Sequence, residues 1–434
     1  MLAPEAMSPH RSSAAALAAL LAISLLLCAP PSATATDDHK PIVARVRKDA
    51  PTSLYTIIIK VGGVPLLLDL AGPLLWLANC PTPHRTIPCG TDVCEAVSSN
   101  HPPSCPYTAC SKGAACAAYP YNPVDGRCAR DDATTITLAA NTTDGKNPLS
   151  PVSFRAVGSC APGDLLASLP AGAAGVAGLS RLPLSLPDQF GDILKVPKQF
   201  ALCLPGGGSD GVAVFGGGPF QLLAAPPVEL ATGLRENQLP LLKNPKVNNG
   251  AYYFRITGIA VNQQQVPTPP GAFDLDAQRG TGGALLSTVT PYTALRSDIY
   301  LPLHDAFKAA TSGIARAEPV APFDMCYQAS ALTVTRVGYG VPNIDLMLDG
   351  GRNWTLPGGS SMVQVNDQTV CFAFVQMPPS MPAAADSPAV IFGGFQMENR
   401  LLMFDLEKET FALSGLLLGI RTTCSNFNFT MGSS

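Results

Sequence analysis

Cysteine and histidine are the residues of this 434-residue chain best able to do chemistry, and their spacing points to cross-linking. Of thirteen cysteines, Cys28 falls in an apolar leader; Cys80, Cys89, Cys94, Cys105, Cys110, Cys116, Cys128, Cys160, Cys203, Cys326, Cys371 and Cys424 remain, an even set. In a chain bound for an oxidising compartment that set predicts six disulfides. A zinc site is the competing use. There is no Cys-x2-Cys pair, and His39, His84, His101 and His304 stand at no ligand spacing from the cysteines, so neither metal nor cofactor is expected. The sequons Asn141-Thr142-Thr143, Asn353-Trp354-Thr355 and Asn428-Phe429-Thr430 predict glycosylation on a secreted surface.

The segments that must position these residues begin after the leader. His10 and Arg11 precede an apolar run over 14–29, and Ala33-Thr34-Ala35 supplies a small-residue cleavage pattern. Ser24 interrupts the run and Pro30-Pro31 ends it, short of the roughly 20 residues of a spanning helix. Residues 1–35 therefore read as a signal peptide, with the mature chain starting near Thr36. Beyond it, short apolar or alternating runs at 54–61, 66–70, 152–157, 212–215, 252–256, 362–365 and 390–392 are bounded mostly by Gly, Pro, Asn or Asp and predict strands. The clearest helix spans 297–311, with Ile299, Leu303, Phe307 and Ala310 on one face. The stretch over 80–128 holds seven cysteines but few large side chains, so disulfides must supply its rigidity.

Only 14% of residues are charged, against about 25% in an average domain, while 47% are hydrophobic. That composition excludes a disordered chain, and the frequency of 42 Pro and 39 Gly excludes a helix bundle. A net charge of −3 offers no basic face for nucleic acid. The Pro/Gly-rich stretch 206–227 predicts a boundary between two lobes, 36–225 and 226–434.

An internal duplication runs through both halves. Leu67-Leu68-Asp69-Leu70-Ala71-Gly72 leads to Leu74-Leu75-Trp76, as Gly282-Gly283-Ala284-Leu285-Leu286-Ser287-Thr288 leads to Tyr292-Thr293-Ala294-Leu295. Apolar pieces with closely placed glycines, Gly175-Val176-Ala177-Gly178-Leu179 and Val390-Ile391-Phe392-Gly393-Gly394, complete the pattern where backbones must pass close together.

In this order the pieces resemble the two-lobed pepsin-like aspartic proteases of plants over about residues 40 to 425. Gly178-Leu179-Ser180-Arg181-Leu182-Pro183 and Ile391-Phe392-Gly393-Gly394-Phe395 carry much of that likeness. A closer resemblance is to the TAXI-type xylanase inhibitors, the extracellular dermal glycoproteins and the basic 7S globulins. It is carried by Ser53-Leu54-Tyr55-Thr56, Asp69-Leu70-Ala71-Gly72-Pro73-Leu74-Leu75-Trp76, Tyr119-Pro120-Tyr121-Asn122-Pro123 and the twelve cysteines. The implied fold is mostly β and bilobal, with few short helices, a cleft between the lobes and disulfide staples. The lobed layout suggests Cys203 with Cys424 and Cys326 with Cys371.

The resemblance also locates what is missing. Aspartic-protease chemistry needs two carboxylates sharing one proton, each held in Asp-Thr/Ser-Gly. Asp69 survives, but Leu70-Ala71 follows it, and Ser287 occupies the second position. A single carboxylate cannot fill both protonation roles, and losing one partner costs about 100- to 10,000-fold in rate. Asp298 and Asp305 fall on the predicted helix as surface charges. The chain is expected to be no protease but a secreted, monomeric inhibitor of microbial glycoside hydrolases in the plant cell wall, with family-eleven xylanases as the partner class. In the inhibitors it resembles, a histidine shortly before the last cysteine enters between the two catalytic carboxylates of the xylanase, which lie about 5–5.5 Å apart. Counting back from Cys424 puts Ile420 at or near that position, followed by Arg421, which reads first as an exposed surface cation and, as the alternative, as a guanidinium that bridges carboxylate oxygens in place of the missing imidazole. Leu416, Leu417 and Leu418 read first as a core strand, with an apolar contact patch as the alternative. The alternatives are a seed-storage, structural or peptide-binding extracellular glycoprotein, and a weakly active atypical protease.

Overall fold

Ile42–Lys48 buries its apolar positions and leaves Arg47 outside, so it can lie in a sheet with one face toward a core. It pairs antiparallel with Gly211–Phe215 on one side and Tyr55–Ile58 on the other. The computed structural model describes residues 40–431 apart from 60–61, 81–82, 103–104, 146, 219, 225, 246–249 and 379–386. The expected leader over 1–35 and the start near Thr36 lie outside the described residues. The protein is mostly β with few helices, and among the described residues none of those helices is long and apolar enough to cross a membrane.

Leu66–Asp69 is buried at every position because it has neighbours on both edges and packing on both faces. It runs antiparallel to Tyr55–Ile58 and parallel to Gly175–Gly178, with Asp69 opposite Gly178. Leu75–Ala78 crosses back antiparallel to Gly175–Gly178 and parallel to Ser150–Ala161. The second half repeats this design. Ala284–Leu286 is parallel to Val390–Phe392, which is antiparallel to Thr293–Leu295. The repeat places Asp69 and Ser287 at equivalent strand ends: the Leu179 N–H donates to the Asp69 carbonyl at 2.8 Å, and the Ser287 N–H to the Phe392 carbonyl at 2.8 Å.

Glycines stand where these strands cross. A Cβ on Gly175 would lie 2.0 Å from the Trp76 carbonyl oxygen, and one on Gly178 2.4 Å from that of Gly72. Any side chain there would force the strands apart.

The two halves share one thirteen-stranded sheet, because Leu401–Asp405 from the second half pairs with Gln199–Cys203 from the first. Phe200 and Phe404 stack across this junction with ring centroids 4.5 Å apart, and Tyr252 meets Phe404 at 4.6 Å. Each such aromatic pair adds about 0.5–1.5 kcal/mol beyond simple burial. A polar clamp joins the halves as well. The Tyr55 hydroxyl donates to Glu398 Oε1 at 2.6 Å, and Lys48 Nζ lies 2.6 Å from the same oxygen. Burial pushes the Glu398 carboxyl up, while Lys48 and Tyr55 pull it down.

Six disulfides staple the chain: Cys80–Cys160, Cys89–Cys110, Cys94–Cys116, Cys105–Cys128, Cys203–Cys424 and Cys326–Cys371. The last two are the pairs suggested by the lobed layout, and the first four tie down the cysteine-rich stretch. The helix Ser297–Ala310 buries Ile299, Tyr300, Leu303 and Phe307, but Ala310 is exposed at its end. Leu416, Leu417 and Leu418 form no strand. Leu417–Ile420 is a short 3₁₀ turn in which Leu417 alone is buried, because its N–H is taken by the Asn399 carbonyl and Leu418 accepts from Arg421 within the turn.

Candidate functional site

Asp69 and Ser287 come together where the two repeated strand ends meet, and the residue that links them is Thr288. Its hydroxyl donates to the Leu68 carbonyl at 2.6 Å and accepts from the Leu70 N–H at 3.1 Å. Both backbone neighbours of Asp69 are thus tied to the residue after Ser287. Leu70, at the equivalent place in the first half, has no hydroxyl with which to return the contact. Thr288 escaped the sequence reading; the duplication aligning Ser287-Thr288 with Asp69-Leu70 was the signal that could have found it.

Asp69 is 5% exposed, and its Oδ1 accepts the Ala71 N–H at 2.9 Å. Burial raises its pKa from 3.8 to about 6, against the opposing pull of the Ala71 and Gly72 N–H groups. Among the described residues no cation pairs with it. Tyr121 faces the same space: burial raises its phenol, and the Asp69 charge raises it further. The Trp76 Nε1 donates to the Tyr121 carbonyl at 2.9 Å, which holds this segment over the site.

Ser287 is engaged locally. Its hydroxyl donates to Thr290 Oγ1 at 3.0 Å and accepts the Thr290 N–H at 3.2 Å. Among the described residues the crossing therefore sets the Asp69 carboxyl opposite the Ser287 hydroxyl rather than a second carboxyl. A dyad that passes a proton between two carboxylates has no second member here. Asp298 is held below the usual carboxylate range by Arg296, with Oδ1 2.7 Å from Nε, and Asp305 projects into solvent. Neither joins the crossing.

Ile420 and Arg421 lie elsewhere, on the turn before Cys424. Ile420 is 49% exposed, and Arg421 is exposed in the left-handed region at φ 60°. The Thr422 N–H donates to the Leu417 carbonyl, and the Thr422 hydroxyl to the Leu223 carbonyl at 2.9 Å. With Cys424 bonded to Cys203, the turn is fixed at its base. Trp76 and Trp354 are buried packing residues.

The sequons differ in setting. Asn141 sits inside the strand Asp131–Thr142, Asn353 is exposed at the start of Asn353–Leu356, and Asn428 Oδ1 accepts from both the hydroxyl and N–H of Thr430. The sulfurs of Cys89, Cys94 and Cys110 lie within metal-ligand reach of one another, but all three are consumed by disulfides.

Comparison with known proteins agrees with this geometry. Residues 55–217 match the model of the xylanase inhibitor N-terminal family, and residues 251–414 that of the xylanase inhibitor C-terminal family. A protein of Oryza sativa subsp. japonica named Chitinase CLP is 48% identical over 98% of this chain and 100% of its own length. Gamma conglutin 1 of Prunus dulcis is 31% identical over 92% of this chain and 93% of its own length. The crystal structure of edgp superposes with a TM-score of 0.80 at 32% identity, covering 90% of this chain and 98% of that one. With both halves matched, the chain belongs to the xylanase-inhibitor family.

Proposed function

We propose that the protein is a secreted proteinaceous inhibitor of microbial glycoside hydrolases, with family-eleven endo-1,4-β-xylanases as its first partner class. The observation that carries this reading is the fixed, exposed Ile420-Arg421 turn, anchored by Cys203–Cys424. A guanidinium keeps its charge at all working pH and presents a fork that matches a pair of carboxylates. Arg421 would sit between the acid and the nucleophile of a retaining hydrolase, with Ile420 against the cleft wall. The sequons at Asn141, Asn353 and Asn428, the twelve disulfide cysteines and the apolar leader support an extracellular, cell-wall location. The test is titration of the purified protein against a panel of fungal and bacterial xylanases, endoglucanases and polygalacturonases. Inhibition of a xylanase, weakened by about 2 kcal/mol in Arg421→Ala, is the expected result. Absence of inhibition across the panel refutes the reading.

A second reading, chitin hydrolysis, is favoured by the name of the 48% identical relative together with the chemistry of Asp69. A carboxyl with a pKa of about 6 is poised to protonate a glycosidic oxygen, and in substrate-assisted glycoside hydrolysis the sugar's own acetamide replaces the second carboxylate. Release of reducing ends from chitooligosaccharides by the wild type but not by Asp69→Asn would support it. Equal release by both, or by neither, would remove it.

A further inference from the structure

Asn428 stands where the surface leaves room beside a sequon. It lines both a pocket of about 300 Å³ and an open depression of about 610 Å³, and so does its neighbour Phe427. The pocket has apolar walls from Leu222, Leu223, Pro227 and Phe427, with Thr143 and Gln221 among its polar groups. The amide of Asn428 is also set for attachment. Its Oδ1 accepts from the Thr430 hydroxyl at 2.5 Å and from the Thr430 N–H at 3.1 Å, while its Nδ2 has no partner among the described residues.

The segment 425–431 that carries this asparagine is held from several directions. The Ser425 hydroxyl donates to the Ser209 carbonyl at 3.2 Å, the Leu223 N–H to the Asn426 carbonyl at 2.8 Å, and the Leu149 N–H to the Thr430 carbonyl at 2.8 Å. Phe427 and Phe429 meet edge to face with centroids 4.8 Å apart, and the Arg45 guanidinium lies 4.1 Å from the Phe429 centroid. Both phenylalanines are half-buried, so part of each ring stays open beside Asn428.

We infer that Asn428 carries an N-linked glycan whose first N-acetylhexosamine packs into the pocket and clamps the C-terminal segment to Thr143 and to Gln221–Leu222. Transfer joins Nδ2 to C1 of the sugar and breaks the C1–O bond to the pyrophosphate of a lipid-linked oligosaccharide donor. The amide gives up one proton, the lipid pyrophosphate leaves as an anion, and no group changes oxidation state. The walls suit such a sugar. Its C–H groups bear partial positive charge and rest on the negative face of a phenylalanine ring, and its N-acetyl methyl group is buried against leucine and proline. Its hydroxyls find donors and acceptors in Thr143 and Gln221. A covalent link at the rim keeps the sugar at high effective concentration, so contacts too weak to hold a free sugar stay formed. The inference needs passage through the secretory route, which belongs to the reading above, and is independent of any hydrolase partner.

The test expresses the full chain with its own leader in plant cells, with glycans kept in the high-mannose form, and maps the sequons by glycopeptide mass spectrometry. Hydrogen exchange is then read over 143–149 and 425–431. The samples are the wild type, the wild type trimmed by an endoglycosidase to a single sugar per site, and the variants Asn428→Asp, Asn428→Gln and Asn353→Asp. Asn428→Asp keeps an oxygen for Thr430 but takes no sugar, and Asn353, which lines neither cavity, is the control. Asn428 should be occupied, trimmed and untrimmed protein should exchange alike, and both Asn428 variants should exchange about tenfold faster while Asn353→Asp matches the wild type. A bare Asn428 in secreted protein overturns the inference and leaves the secretion reading standing. No secretion and no sugar at any sequon overturns both. Unchanged exchange in either Asn428 variant places the sugar in solvent and overturns the inference, as does trimmed protein that exchanges like those variants, or Asn353→Asp that exchanges as fast as they do.

Discussion

Asp69 provides a quantitative test of how burial tunes the carboxyl at the strand crossing. In the unfolded chain its carboxyl releases a proton near 3.8, whereas in the folded protein burial without a cation raises that value to about 6. Between those values the folded state holds more protons than the unfolded state, so stability falls as pH rises through this window. Above about 6 the destabilisation is complete, and the change from 3.8 to about 6 corresponds to about 3 kcal/mol. Asp69→Asn removes the ionisation while keeping an oxygen for the Ala71 N–H. The variant should match the wild type at pH 3.5 and exceed its stability by about 3 kcal/mol at pH 7.5. The assay is urea unfolding at both values, followed by tryptophan fluorescence, for which Trp76 lies beside the site. A difference between the two proteins that is the same at both pH values would refute the reasoning, as would a variant less stable than the wild type at pH 7.5.

Thr288→Val should cost about 2 kcal/mol or more, because the Leu70 N–H and Leu68 carbonyl lose their partner inside the protein, whereas Thr288→Ser should retain most of the stability. Equal unfolding midpoints for the valine and serine variants would contradict that. Replacing both Cys203 and Cys424 with alanine opens a link between residues 221 apart and should lower stability by about 5 kcal/mol or slightly more in the chain-entropy account. The same variant should loosen the Ile420-Arg421 turn, read as faster amide hydrogen exchange over 417–424.

Much of the fold was legible before any coordinates. Leu66-Leu67-Leu68 and Val390–Phe392 are continuous apolar runs, and such runs form strands wherever both faces are covered. The duplicated order of apolar run, small-residue turn and second run is realised strand for strand in both halves. Hidden from that pattern was the continuity of the sheet, since pairing of Leu401–Asp405 with Gln199–Cys203 depends on contacts about 200 residues apart. The 3₁₀ turn at Leu417–Ile420 was misread because three consecutive leucines satisfy a strand template as well as a turn that buries one of them.

Residue type alone determined what chemistry this protein lacks: a serine at 287 cannot be a carboxylate in any fold, and twelve cysteines without ligand spacing favour disulfides in an oxidising compartment. Tertiary structure alone decided what the surviving groups do. Burial, which depends on every neighbour in space, moves Asp69 to about 6, and chain segments far apart in sequence bring Thr288 against the backbone on either side of Asp69 and Leu223 against Thr422. Local sequence sets the identity of each group, while its solvation and partners come from residues far along the chain.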